Sequence, residues 1–221
     1  MSLKALFKAA VATLQKRNVP FAVAGGLAAD LYRREPRLTM DVDLVILTDD
    51  RAVETAKAVI EAVGLRAGII RRADLDGGPL FAVKQKSTKP CMVVGRKTGD
   101  SSGEGVDILL PEIPWVADAV RRATNNLVDY GFGPVPALTV EDVIIAKLFA
   151  LQSADMRAKD LDDLQSIFAA EPTLNVPYLA GQIDRLHLEI KKTTRPFLPA
   201  GLIDITRDIA RARKSIQEPG A

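Results

Sequence analysis

The 221-residue sequence has a single cysteine, Cys91, a single histidine, His187, and a single tryptophan, and aromatic residues make up only 5% of it. One cysteine excludes an internal disulfide and any cysteine-built zinc site, and one histidine leaves no His cluster to replace it. No stretch approaches the roughly eighteen consecutive apolar residues of a membrane-spanning helix. A large excess of charge is missing as well. Thirty Lys and Arg stand against 28 Asp and Glu, a formal charge of +2, so any attraction to nucleic acid has to be local. Met1-Ser2-Leu3-Lys4 runs straight into an amphipathic pattern without a signal-like apolar segment, which with the cysteine count points to a cytoplasmic protein without a membrane anchor. What is present, 48% hydrophobic and 26% charged residues, suits one generous globular domain or two small ones sharing a core.

Apolar residues from Leu3 to Leu14 recur at helical spacing behind Ser2, a good N-cap, and Asn18 with Pro20 ends the pattern. Phe21 to Ala24 reads as a strand, Gly25-Gly26 as a turn, and Leu27 to Arg34 as a short helix closed by Pro36. Asp41 to Leu47 is a β-rich strand, followed by a helix carrying Val53, Ala56, Val59, Ile60 and Val63. Short strands are then expected at Ala67–Ile70, Leu80–Val83, Met92–Val94 and Val106–Leu110, with Lys97 to Gly105 a hairpin loop. Trp115 to Ala123 reads as a helix, and 127–130 and 135–138 as short edge strands. Beyond Thr139 β signals disappear. Thr139-Val140-Glu141-Asp142 resembles a capping box opening a helix to about Leu151, and further helices are expected at Met156–Phe168, Val176–Ile190 and Leu202–Ile216. The expected architecture is α+β: a mixed sheet flanked by helices over residues 1–138, then a helical bundle over 139–221.

Asp is depleted in strands, yet Asp41 and Asp43 interrupt an otherwise Val, Leu and Ile strand, and their spacing of two puts both carboxylates on one face. Two readings stand. In one the pair binds a divalent cation such as Mg²⁺, a hard ion preferring oxygen ligands; in the other it is a solvated strand end with Asp41 capping a turn. Asp107, inside Val106-Asp107-Ile108-Leu109-Leu110, supplies a third carboxylate if the strands are neighbours. Gly25-Gly26, between a strand and a helix start, suits close approach of a phosphate to backbone N–H groups. Phosphate turn, short helix and acid pair in that order suit an NTP held as its Mg²⁺ complex.

Lys147 has only apolar residues three and four positions away on either side. It either extends its ammonium to water or points into a cleft to neutralise a triphosphate. Arg157 and Asp160 share a helix face with Leu161, Leu164 and Phe168 and are expected toward the interior, as an ion pair fastening the helix, as contacts to the nucleotide or as groups orienting Lys147, while Lys159 is expected to pair with Asp162 and Asp163 elsewhere. His187 reads as a core or boundary residue and Cys91 as a small hydrophobe. Arg207, Arg211, Arg213, Lys214, Lys191, Lys192 and Arg195 form either a basic strip for RNA or solvated helix faces.

Ala24-Gly25-Gly26, Asp41-Val42-Asp43 and the later Asp107 resemble the signature of the nucleotidyltransferase superfamily shared by polymerase β and the aminoglycoside nucleotidyltransferases. Within it, Gly25-Gly26-Leu27-Ala28 leading to Arg37-Leu38-Thr39-Met40-Asp41-Val42-Asp43-Leu44 looks most like the AbiEii-like toxins of bacterial type IV toxin–antitoxin systems. The resemblance covers about Phe21 to Phe168, and the family's later lysine and aspartate correspond to Lys147 and Asp160. It implies transfer of an NMP from an NTP to an acceptor hydroxyl with release of pyrophosphate, with Asp41, Asp43 and Asp107 holding two Mg²⁺ ions (Mn²⁺ as an alternative) and acting in catalysis with Lys147. Gly25, Gly26, Arg37, Lys147, Arg157 and Asp160 are the nucleotide-binding set it implies. The acceptor it suggests is RNA, a tRNA 3′ end first, with protein hydroxyls and small antibiotics as alternatives, and it suggests a cognate antitoxin as partner. Many relatives carry Ser where Gly26 stands. A non-catalytic nucleotide- or RNA-binding module on the same fold, and a structural partner protein with an incidental acidic strand, are the competing readings.

Overall fold

The computed structural model describes residues 2–71, 89–99, 104–152 and 157–207. Helix α1, Leu3–Lys16, opens where the Ser2 hydroxyl accepts from the Ala5 N–H, and it buries Leu6, Phe7, Ala10, Val11 and Leu14 on one stripe. Strand β1 spans Phe21–Val23. Helix α2, Gly25–Ala29, starts on the glycines themselves instead of at Leu27 and has only five residues. Strand β2, Asp41–Ile46, is followed by helix α3, Ala52–Ala62.

Strands β3, Arg66–Arg71, β4, Pro90–Arg96, and β5, Gly105–Leu109, complete a five-stranded sheet of order β1-β2-β5-β4-β3. The sheet is mixed. β2 and β5 run parallel, and the other neighbouring pairs are antiparallel. The strand expected at Leu80–Val83 and most of the loop expected between Lys97 and Gly105 lie outside the described residues. Helix α4, Val116–Ala123, leads to β6, Leu127–Asp129, and β7, Pro134–Pro136, which pair with each other.

Helices α5, Val140–Ala150, α6, Ala158–Ala169, and α7, Val176–Arg185, follow, and a last helix, α8, occupies 200–207, the remainder of the expected C-terminal helix being outside the described residues. α7 stops short of Ile190 because the chain turns at His187, whose φ of 52° lies in the left-handed region. His187 is exposed there, not at the core or its boundary as its apolar neighbours suggested.

Pleating sorts the sheet's side chains onto two cores. Val42, Leu44 and Ile46 of β2 join Val106 and Ile108 of β5 against α1 and α3. On the other face, Ala22, Ala24 and Val45 pack in one cluster with residues of α4 to α8, from Val116 to Leu202, so that cluster crosses the change in composition at Thr139. Cys91 is fully buried in it, as a small hydrophobe. Among the described residues no helix is long and apolar enough to cross a membrane.

Candidate active site

In the parallel register of β2 and β5, Asp43 lies directly opposite Asp107 and Asp41 opposite Gly105. Asp41 and Asp43 therefore share the face of Val45, and Asp107 projects from the same side. One carboxylate oxygen from each of Asp41, Asp43 and Asp107 comes within 4.8 Å of the others. Like charges this close oppose one another. Burial, then Asp41 and Asp107, push the Asp43 carboxyl up to about 7, against the opposing pull of Lys147 and of a hydrogen bond from the Gly26 N–H. An all-oxygen donor set of three crowded carboxylates fits a divalent cation, and these three residues are the ones that would hold Mg²⁺.

Arg96, at the end of β4, supplies the cation the strands themselves bring. Its guanidinium donates to both oxygens of Asp107, Nη2 to Oδ2 at 3.0 Å and Nη1 to Oδ1. Asp107 and Asp41 lower the tendency of that guanidinium to lose its proton, and Asp43 adds to the effect. Sequence reading passed over Arg96, because its role exists only once β4 lies beside β5.

Both glycines of the turn make room for protein side chains. A Cβ at residue 25 would sit 1.8 Å from Asp43 Oδ2, and Gly25 has a φ of 56°. Only glycine lets the turn lie against the carboxylate in that conformation. At residue 26 a Cβ would meet Thr39 Oγ1 at 2.7 Å and Arg37 Nη2 at 3.1 Å. The Gly26 N–H is directed at Asp43. With five residues, α2 has little macrodipole to offer an anion, so the expected contribution of a helix N-terminus here is small.

Behind the turn lies an ion-pair network. The Asp163 side chain is fully buried and accepts from Arg37 Nε at 2.7 Å, Arg37 Nη2 at 3.0 Å and Arg33 Nη1 at 2.6 Å. Lys147 Nζ lies 2.7 Å from Asp160 Oδ1 and 2.7 Å from Asp163 Oδ2. Burial alone would raise the Asp163 carboxyl, but Arg37 and Lys147 hold it at about 2. Lys147 is thus neither snorkelling to water nor free in a cleft: it is buried, carries two carboxylates from α6, and is near enough to Asp43 to lower its proton affinity.

Asp163 is a correction to the sequence reading, which put it on a solvated face with Lys159. Its spacing of three from Asp160, on the same helical face, was the signal that pairs them. Arg157 is corrected in the other direction. Its side chain is 57% exposed at the start of α6, where Nε lies 3.0 Å from Asp160 Oδ2, so it braces the network from outside and does not face the interior.

Helix α5 holds Lys147 in register through its first turn. The Thr139 hydroxyl accepts from the Asp142 N–H, and the buried Glu141 and Asp142 carboxylates accept from Arg122 at 3.0 and 2.9 Å. Tyr178 of α7 donates to Asp142 at 2.7 Å. The basic residues Lys192, Arg195 and Arg207 are exposed, and Arg211, Arg213 and Lys214 lie outside the described residues.

Acidic face, glycine turn and mixed sheet define a nucleotidyltransferase-type α+β protein. The family model "Nucleotidyl transferase AbiEii toxin, Type IV TA system" matches residues 9–216, and the chain belongs to that family. In fold it is similar to an antigenic nucleotidyltransferase-like protein from Paracoccidioides brasiliensis, with 19% identity, 96% of this chain and 92% of that one covered, and a TM-score of 0.51. It is likewise similar to ANT(2")-Ia, solved in complex with adenylyl-2"-tobramycin, with 19% identity, coverage of 83% and 95%, and a TM-score of 0.51. No curated protein matches the sequence. The protein is a transferase of nucleotidyl groups by family.

Proposed function

We propose that this protein moves an NMP from an NTP to the hydroxyl of an RNA acceptor, with a tRNA 3′ end as the first candidate, as the Mg²⁺-dependent toxin of a cytoplasmic toxin–antitoxin pair. The observation that carries the reading is the convergence of Asp41, Asp43 and Asp107 against the Gly25–Gly26 turn. The family description supports the toxin role and an antitoxin partner.

In this reading the acceptor oxygen forms a bond to the α-phosphorus as the bond from that phosphorus to the oxygen bridging to the β-phosphate breaks. The acceptor proton passes to a carboxylate of the cluster, and pyrophosphate leaves. Bound at Asp41, Asp43 and Asp107, Mg²⁺ would offset charge on the entering and leaving oxygens. The backbone of Gly25 and Gly26 cradles the triphosphate beside Asp43. Lys147 and Arg37, oriented by Asp160 and Asp163, contribute positive charge next to it. The helices from α5 to α8 shape the acceptor cleft.

Incubation with each of four α-labelled NTPs, Mg²⁺ and total bacterial RNA or lysate tests this directly. Label is expected in RNA, and Asp43→Ala is expected to abolish it. Label in protein or in a small molecule moves the acceptor assignment while keeping the chemistry. Metal-independent NTP binding without any transfer replaces the enzyme by a binding module.

A further inference from the structure

Thr39 sits two residues before Asp41, is 9% exposed, and its hydroxyl is buried without a hydrogen-bond partner. A buried hydroxyl left unsatisfied destabilises a fold, so its persistence asks for a partner that arrives later. Gly26 is what brings that hydroxyl against the turn. A Cβ there would fall 2.7 Å from Thr39 Oγ1 and 3.0 Å from Thr39 Cγ2, with Arg37 Nη2 at 3.1 Å. With no side chain at 26, the Thr39 hydroxyl and the Arg37 guanidinium, both hydrogen-bond donors, pack directly against the turn. Asp43 packs in the same way against the neighbouring Gly25.

We propose that Thr39 is a phosphate ligand of the bound nucleotide: its hydroxyl donates to a triphosphate oxygen held at the Gly25–Gly26 turn, beside Arg37. Thr39 so provides the hydroxyl that a serine at residue 26 would otherwise offer. The two positions are coupled, because a side chain at 26 and Thr39 in its present place claim the same space. The inference rests on the nucleotidyl-transfer reading above and goes beyond it by naming the group that grips the phosphates.

Calorimetry of the full chain with Mg²⁺ and either inorganic pyrophosphate or α,β-methylene NTPs tests it, alongside the melting temperature of each unliganded variant. Thr39→Val keeps the shape and removes the hydroxyl. It is expected to weaken both ligands about tenfold or more while leaving Tm unchanged or raised, since an unsatisfied polar group is replaced by a methyl. Thr39→Ser is expected to bind within about twofold of the parent. Gly26→Ser alone is expected to bind poorly through the clash, and Gly26→Ser combined with Thr39→Ala to bind better than Thr39→Ala alone. Parent-like affinity of Thr39→Val for pyrophosphate overturns the proposal, as does a Thr39→Ser variant as weak as Thr39→Val. Should the parent chain itself bind no nucleotide, the failure belongs to the nucleotidyl-transfer reading, a result distinct from loss of the Thr39 effect.

Discussion

At Asp43, burial and two neighbouring carboxylates act in the same direction, and the carboxyl titrates at about 7. The unfolded chain would release that proton near the ordinary carboxylate value, so between about pH 4 and 7 the folded chain binds more protons than the unfolded one. The group's contribution to stability is therefore complete at low pH and is lost as pH rises through about 7. Asp43→Asn cannot titrate there. In EDTA, urea unfolding is expected to show the parent losing roughly 3 kcal/mol more than the variant between pH 5 and pH 8. Matching pH profiles for the two would mean that the three carboxylates do not gather as described. Asp41, Asp43 and Asp107 were legible in the sequence because acids at a spacing of two inside apolar strands conflict with strand preference. Thr39 carried no such conflict. Its burial follows from Gly26, thirteen positions earlier in sequence but adjacent in space.

Among the elements, α5 and α6 are joined where Lys147 meets Asp160 and Asp163. All three side chains are buried, so removing the lysine takes a cation from two carboxylates in a medium that penalises charge, leaving Asp163 to Arg33 and Arg37 and Asp160 to the exposed Arg157. Lys147→Met is expected to destabilise the protein by about 3–5 kcal/mol, read from chemical denaturation, as well as to impair transfer. A lysine serving only the triphosphate would give the second effect with little of the first, and any activity assay on this position has to be scored against folded protein. The helical pattern placed Lys147 and Asp160 as residues to watch. It misassigned Asp163, because neighbouring Lys159 and Asp162 make that turn of α6 read as a solvated charge run. Only packing of α6 against α2 and α5 shows which face is covered. The boundaries of α2 and α7 were also displaced: positive-φ positions at Gly25 and His187 decide where each helix starts or stops, and periodicity does not register them.

Over the whole molecule, one apolar cluster runs from Ala22, Ala24 and Val45 in the sheet through Leu138 and Ile144 to Leu164 and Leu202. Residues on the two sides of Thr139 complete each other's core, so neither half has a finished apolar interior alone. Calorimetric unfolding of the full chain is expected to give one cooperative transition, its calorimetric and van't Hoff enthalpies agreeing. Two resolved transitions would show that the halves are held together more weakly than this core implies. The division of the sequence into a β-containing part and a helical part was plain from where strand patterns cease. The extent of the shared core was not, since it depends on which helical faces meet the sheet.

The parallel pairing of β2 with β5 also bears on synthesis. Parallel neighbours cannot be joined by a tight hairpin, and here β3 and β4 are made between them, so the ribosome releases Asp43 long before its partner strand exists. The carboxylates that fix Lys147 leave the exit tunnel later still. A growing chain, or one cut short before Asp163, carries fragments of the chemistry without the assembled centre, and catalytic competence waits until α6 has left the ribosome.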